Sequence, residues 1–112
     1  MNETEKMKMI LKKYPDRLPI VCQKHRRCRS DVPDLDKIKY LVPKDITIGQ
    51  FLVVITIRMK LSPHQSIFLC TDKNKMLSAS ESLLHTYDKH KSINNMLYLY
   101  YIGENVFGKS LP

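Results

Sequence analysis

The side chains able to do chemistry are few and scattered. His25, His64, His85 and His90 fall in unrelated segments, without cysteine or carboxylate partners at the spacing of a catalytic or metal-binding motif. Cys22, Cys28 and Cys70 are odd in number. Two of them sit in apolar, strand-like runs, which suits buried thiols better than a disulfide framework. Cys22 and Cys28 stand six apart with no Cys-His pair at finger spacing, so no zinc site is expected. No glycine-rich phosphate loop is present, and no cofactor or enzyme activity is expected.

What the chain has instead is charge. Among its 112 residues, 19 Lys+Arg face 11 Asp+Glu, for a formal net charge of +8. Residues 1–29 hold nine of those cations (Lys6, Lys8, Lys12, Lys13, Arg17, Lys24, Arg26, Arg27, Arg29) against Glu3, Glu5 and Asp16, a net of +6 that leaves +2 for the rest. Such a face attracts acidic partners in a salt-dependent way, and by itself it selects none of them. With 43% hydrophobic residues and three glycines, one domain with a real core is expected, not a disordered or fibrous chain. Apolar runs stop near seven residues, far short of the roughly 20 of a membrane span. Lysines and glutamates interrupt the first 13 residues too often for a signal peptide, so a cytoplasmic protein is expected.

The elements that must carry these groups can be read from periodicity. Met7, Ile10 and Leu11 fall at helical spacing, so a short helix is predicted over 3–13, ended by Tyr14-Pro15. Strands are predicted over 18–24 and over 38–42, the second stopping at Pro43, with a polar loop over 25–34 between them. This pairing suggests a hairpin. Asp45-Ile46-Thr47 offers caps for a helix over 47–60, although Val53-Val54-Ile55-Thr56-Ile57 would read as strand on propensity alone. A strand over 66–71, a turn at 72–74, a helix over 80–90 capped by Ser80, and a strand over 96–102 buried on both faces complete an α+β order.

Four motifs in order then carry a resemblance: KKYPDRLP at 12–19, DLDKIKYLVP at 34–43, TIGQF at 47–51 and ENVFG at 104–108. Over residues 3–108 the chain resembles the autophagy-eight ubiquitin-like modifiers, the family of GABARAP and the light chain 3 of microtubule-associated proteins. The resemblance implies a ubiquitin-like β-grasp with a four-stranded sheet. Family members carry about one more helix ahead of the segment that starts here at Met1, so one added N-terminal helix is expected where two are usual. It also implies a modifier domain over 1–108 and a tail, 109–112, removed by a cysteine protease that cuts after Gly108, next to Phe107. E1-, E2- and E3-like enzymes would then join Gly108 to phosphatidylethanolamine, placing the protein on the autophagosomal membrane as well as in the cytoplasm.

The resemblance further implies capture of Trp/Phe/Tyr-x-x-Leu/Ile/Val peptides from cargo receptors and adaptors by pairing with a free strand edge. The aromatic pocket would be formed by Ile10, Pro19, Val21, Lys39, Leu41 and Met96. The aliphatic pocket would be formed by Tyr40, Val42, Pro43, Ile46, Phe51 and Val54, with Arg17, Lys37 and Arg58 as a charged rim. For Ile46, Phe51 and Val54, ordinary core packing is an equally good reading. A monomer in solution is expected. The competing reading is an unconjugated basic module for acidic protein tails such as tubulin's, anionic lipid or RNA. It would use Lys8, Lys12, Lys13, Arg26, Arg27 and Arg29, with Tyr98, Tyr100 and Tyr101 as stacking groups if they escape the core.

Overall fold

The computed structural model describes residues 3–28 and 31–103. Its elements run α1 (Glu3–Lys13), β1 (Arg17–Lys24), β2 (Lys39–Pro43), α2 (Ile48–Arg58), β3 (Ile67–Thr71), α3 (Leu83–His90) and β4 (Leu97–Gly103). The four strands form one sheet in the order β2-β1-β4-β3. β1 pairs antiparallel with β2 and parallel with β4, and β3 pairs antiparallel with β4. The predicted hairpin is therefore β1–β2, and the first and last strands meet in mid-sheet.

Alternation along the strands gives the sheet two faces. Leu18, Ile20, Tyr40, Val42, Leu97, Leu99, Tyr101, Ile67 and Leu69 pack with Ile48, Phe51 and Ile55 of α2 and Leu83 and Tyr87 of α3 into a single core cluster. The opposite face carries Pro19, Val21, Lys39 and Leu41, and α1 packs on β1. β4 is central but is not buried on both faces as expected. Tyr98 and Tyr100 point to the outer side and are half-buried, whereas Tyr101 points into the core and is 1% exposed.

The β-branched run 53–57 is helical because tertiary and capping terms outweigh propensities of a few tenths of a kcal/mol per residue. Thr47 Oγ1 accepts the Gln50 N–H, and the Gln50 side chain accepts the Thr47 N–H at 2.8 Å, closing a capping box. Ile48, Phe51, Ile55 and Met59 then fall on one buried stripe. At Gly49 the chain touches the loop before α3: its N–H donates to Ala79 O at 2.8 Å, and an added Cβ would sit 3.0 Å from that oxygen.

α3 starts later than predicted. Its N-cap is Ser82, whose side chain accepts from His85 N, and not Ser80. Ser78 to Glu81 form a separate turn, with Glu81 N donating to Ser78 O and the Ser78 and Ser80 hydroxyls 3.0 Å apart. That turn lets Ile48 N reach Glu81 O and Leu83 N reach Ile46 O, which laces the starts of α2 and α3 together.

The long β1–β2 connection is held as well. Lys24 Nζ donates to Val32 O at 2.6 Å and pairs with Asp34 at 2.9 Å. Tyr101 Oη donates to Pro33 O, and Gln65 Nε2 donates to Asp31 O, both at 3.0 Å.

Candidate functional site

Because β2 stands first in the sheet order, one of its edges has no strand partner among the described residues. Which backbone groups face that edge follows from the ladder. Lys44 N donates to Asp16 O and Cys22 N donates to Ile38 O, and these bonds bracket the β1–β2 register Leu18↔Val42, Ile20↔Tyr40. Antiparallel pairs alternate, so Ile38, Tyr40 and Val42 turn their main-chain groups to β1 while Lys39 and Leu41 turn theirs outward. Pro43 lies on the outward phase too, where a missing N–H costs the sheet nothing. Arg17 Nη1 reaches across to Leu41 O at 3.3 Å, the only side-chain hydrogen bond to that edge among the described residues.

The two faces of β2 carry different side chains. On the outer face the register sets Pro19 beside Leu41 and Val21 beside Lys39, and Met96 directly precedes the Ile20↔Leu97 pair, next to Pro19. Pro19, Val21 and Met96 are buried, Leu41 is half-buried and Lys39 is exposed. Ile10 lies on α1, 36% exposed, where it lines a groove of 400 Å³ with Lys6, Met9 and Lys13.

On the core face, Tyr40 meets Phe51 edge-on at 5.7 Å, and its hydroxyl donates to Lys37 O. Phe51 has no exposed surface and forms a floor, whereas Ile46 is half-buried and Pro43 and Val54 are exposed beside it. Burial first, then the Cys22 thiol and Asp36, raises the Tyr40 phenol above its usual range against the opposing pull of Arg58.

Of the three predicted rim cations, Lys37 lies over the Tyr40 ring at 5.3 Å and Arg17 holds Leu41 O. Arg58 already pairs with Asp36 at 3.0 Å. Gly108 and Phe107 lie outside the described residues.

Burial governs the thiols of the two strand cysteines. Cys22 is pushed up to about 12 by burial and then by Cys70, and Cys70 is raised by burial. Such thiols stay protonated and unreactive at neutral pH. His25 accepts the Arg27 N–H through Nδ1 and faces Asn74 Oδ1 through Nε2 at 2.8 Å, so both ring nitrogens are in use. Among the described residues no group of three His, Cys, Asp or Glu side chains could hold a metal ion. No helix there is long and apolar enough to cross a membrane.

Sequence reasoning missed the Arg17–Leu41 contact and the Lys24 network, since neither has a local signature. Arg17 and Leu41 are 24 residues apart and meet only through the β1–β2 register.

A mixed four-stranded sheet in the order β2-β1-β4-β3, with α2 packed across one face, defines a ubiquitin-like fold. The family model described as "Autophagy protein Atg8 ubiquitin like" matches residues 2–108, and the chain belongs to that family. Autophagy-related protein 8 of Schizosaccharomyces pombe is 47% identical over 104 residues, covering 92% of this chain and 83% of the relative. Autophagy-related protein 8d of Arabidopsis thaliana is 46% identical over 99 residues, 88% of this chain and 80% of the relative. The crystal structure of Trypanosoma brucei ATG8 superposes with a TM-score of 0.82 at 35% identity, covering 91% of this chain and 85% of that one. The protein is thus an autophagy-related, ubiquitin-like member of the Atg8 family.

Proposed function

We propose that the protein is a non-enzymatic modifier that captures short extended peptides on the β2 edge and is joined through Gly108 to phosphatidylethanolamine. The observation that carries the capture half is the edge itself. The outward N–H and C=O groups of Lys39 and Leu41 can pair with a ligand backbone, and the side chains on either face of β2 differ in kind.

A ligand strand added there would place alternate side chains on alternate faces. An aromatic residue would meet Pro19, Val21, Leu41 and Met96, a surface that Met96 keeps adaptable. An aliphatic residue would rest over Tyr40, Val42, Ile46 and Val54, with Phe51 beneath. Lys37, Lys39 and Arg17 favour ligands with acidic flanks, which speeds encounter and sets register more than it adds affinity.

Conjugation rests on the family and on the type of residue. A tail threaded through narrow clefts needs a terminal residue without Cβ, and Gly108 is one after loss of 109–112. Lipid then supplies attachment at about 0.8 kcal/mol per buried CH₂, which the domain itself does not need to provide. Cargo receptors, the processing protease and the conjugation enzymes are the corresponding partners, at an autophagosomal membrane and in the cytoplasm.

Two readouts test the two halves. A fluorescent peptide with an acidic flank and a Trp-x-x-Leu core should bind, and replacing its Trp and Leu by Ala should abolish binding. No difference between the two peptides refutes capture. The mass of the C-terminal peptide of the endogenous protein, isolated with lipids retained, should end at Gly108 with phosphatidylethanolamine attached, and a chain ending only at Pro112 refutes conjugation.

A further inference from the structure

β4 is the last described element, and its register with β3 says where the chain is heading when it leaves the sheet. Gly103 stands opposite Ile67, after the pairs Tyr101↔Leu69 and Ile102↔Phe68. Antiparallel strands run in opposite senses, so a chain continuing past Gly103 heads toward Ser66 and Gln65. Both residues line a cleft of 440 Å³ between the end of α2 and the start of β3.

The cleft has apolar walls and a basic rim. Leu52, Ile57, Leu61 and Ile67 supply the walls, and Lys60 is the one charged group among the described residues that line it. Ile57 is 72% exposed, although a helix lying on a sheet normally turns polar residues to solvent. Lys60 follows directly on the α2 cap with a φ of 56°, and its N–H donates to Ile57 O, which keeps the cation beside that side chain.

The sequence beyond Gly103 suits such a cleft. It reads Glu104-Asn105-Val106-Phe107-Gly108. Side chains alternate along a strand, and Leu97, Leu99 and Tyr101 of β4 are the ones that join α2 and α3 in the core. The same parity assigns Asn105 and Phe107 to the α2 side. Phe107 is four residues past Gly103, a reach of about 13 Å at ~3.3 Å per residue, and the cleft wall at Ile67 is only about 5 Å from Gly103 across the ladder.

We propose that this cleft is the seat of the chain's own C-terminus after cleavage at Gly108, with the Phe107 ring on Ile57 and Leu61 and the terminal carboxylate on Lys60. The inference rests on that cleavage and gives it a second consequence. In the uncut chain Gly108 is followed by Lys109, which Lys60 repels, whereas the cut chain presents a carboxylate that Lys60 attracts. An amide at Gly108 carries no charge, so conjugation weakens the seat again and lets the lipid-bearing tail extend.

The test is trimming of purified chain 1–108, which keeps every described residue, by a carboxypeptidase, with the products followed by mass. A synthetic peptide with the sequence of 104–108 gives the rate for a free tail. Wild type should be trimmed about fivefold more slowly than Ile57→Ser, as a seat filled about four-fifths of the time requires. Ile57→Ser alters an exposed position and should approach the peptide rate. Lys60→Asn, which keeps a residue type at ease with positive φ, should recover at least half of the difference. Urea midpoints of both variants should match wild type, and nuclear Overhauser contacts should join the Phe107 ring to the Ile57 and Leu61 methyls.

A wild-type rate equal to that of either variant would overturn the inference. Protection that grows with protein concentration would overturn it too, since the cleft would then hold the tail of a second copy. The seat and the cleavage fail separately: equal trimming rates refute the seat, whereas an endogenous chain ending only at Pro112 refutes the cleavage.

Discussion

Replacing Leu41 by proline separates the free edge of β2 from its paired edge. The Leu41 N–H points outward, so its loss removes no bond to β1, and Tyr40 before it already has the extended backbone that a following proline requires. The cost is part of a half-buried side chain, about 1 kcal/mol, offset by the lower entropy of the unfolded chain by up to about 1 kcal/mol.

Val42→Pro is the control one residue away. The Val42 N–H faces Leu18 in the ladder, and the side chain is 9% exposed in the core. Its loss should cost about 3 kcal/mol or more. Urea unfolding should therefore show Leu41→Pro close to wild type and Val42→Pro far below it.

Peptide binding should respond differently. A ligand carbonyl left without the Leu41 N–H loses about 1–3 kcal/mol, roughly 5- to 150-fold in affinity by anisotropy titration. Equal destabilisation by the two prolines would refute the assignment of the edge. Unchanged peptide affinity in Leu41→Pro would refute its use.

Other expectations concern the frame that holds this edge. Thr47→Ala removes the hydroxyl half of the α2 capping box and should lower stability by about 1 kcal/mol in urea unfolding. Gly49→Ala should destabilise by about 1–2 kcal/mol although alanine is the better helix former by about 1 kcal/mol, because the new Cβ would lie 3.0 Å from the Ala79 carbonyl that the Gly49 N–H already binds. Burial raises Cys22 and Tyr101 to about 12 and also raises Cys70, Tyr40 and Tyr87. Groups whose folded values are raised contribute stability that is intact below their unfolded values. The urea midpoint should therefore fall as pH rises from 9 to 12, and more shallowly in Cys22→Val. His90 is lowered, chiefly by burial and then by Lys75 and Lys89, so its contribution is present above 6.5 and lost on acidification below it, a dependence that His90→Gln should flatten.

How much of this was legible depends on whether the deciding term is local. The helix over 3–13 and the order of strands follow from spacing and punctuation, and the structure shows them within a residue or two. The capping side chains at 45–47 and the helical spacing of the apolar residues after them correctly outweighed the strand-like run 53–57, and the Thr47–Gln50 capping box that the structure adds spans only three residues. Ser80 and Ser82 cannot be told apart from sequence. The choice is made by Ile46 and Glu81 bonding across the two helix starts.

The same limit applies at the site. Alternation marks 38–42 as a strand, and only the family resemblance implies that one of its edges is free. The parity that turns Lys39 and Leu41 outward exists only once β1 is in register, and the full burial of Phe51 exists only once α2 is packed. Tyr98 and Tyr100 escape the core for a related reason: a continuous apolar run hides the alternation that the sheet later imposes.

The claim that a peptide adds to β2 is tested most directly by amide hydrogen exchange with and without the Trp-x-x-Leu peptide. Tyr40 and Val42, already bonded to β1, should exchange slowly in both states, while Lys39 and Leu41 should exchange quickly alone and slow markedly on binding. Protection that appears instead on β3, at the far edge of the sheet, with Lys39 and Leu41 unchanged, would contradict the account.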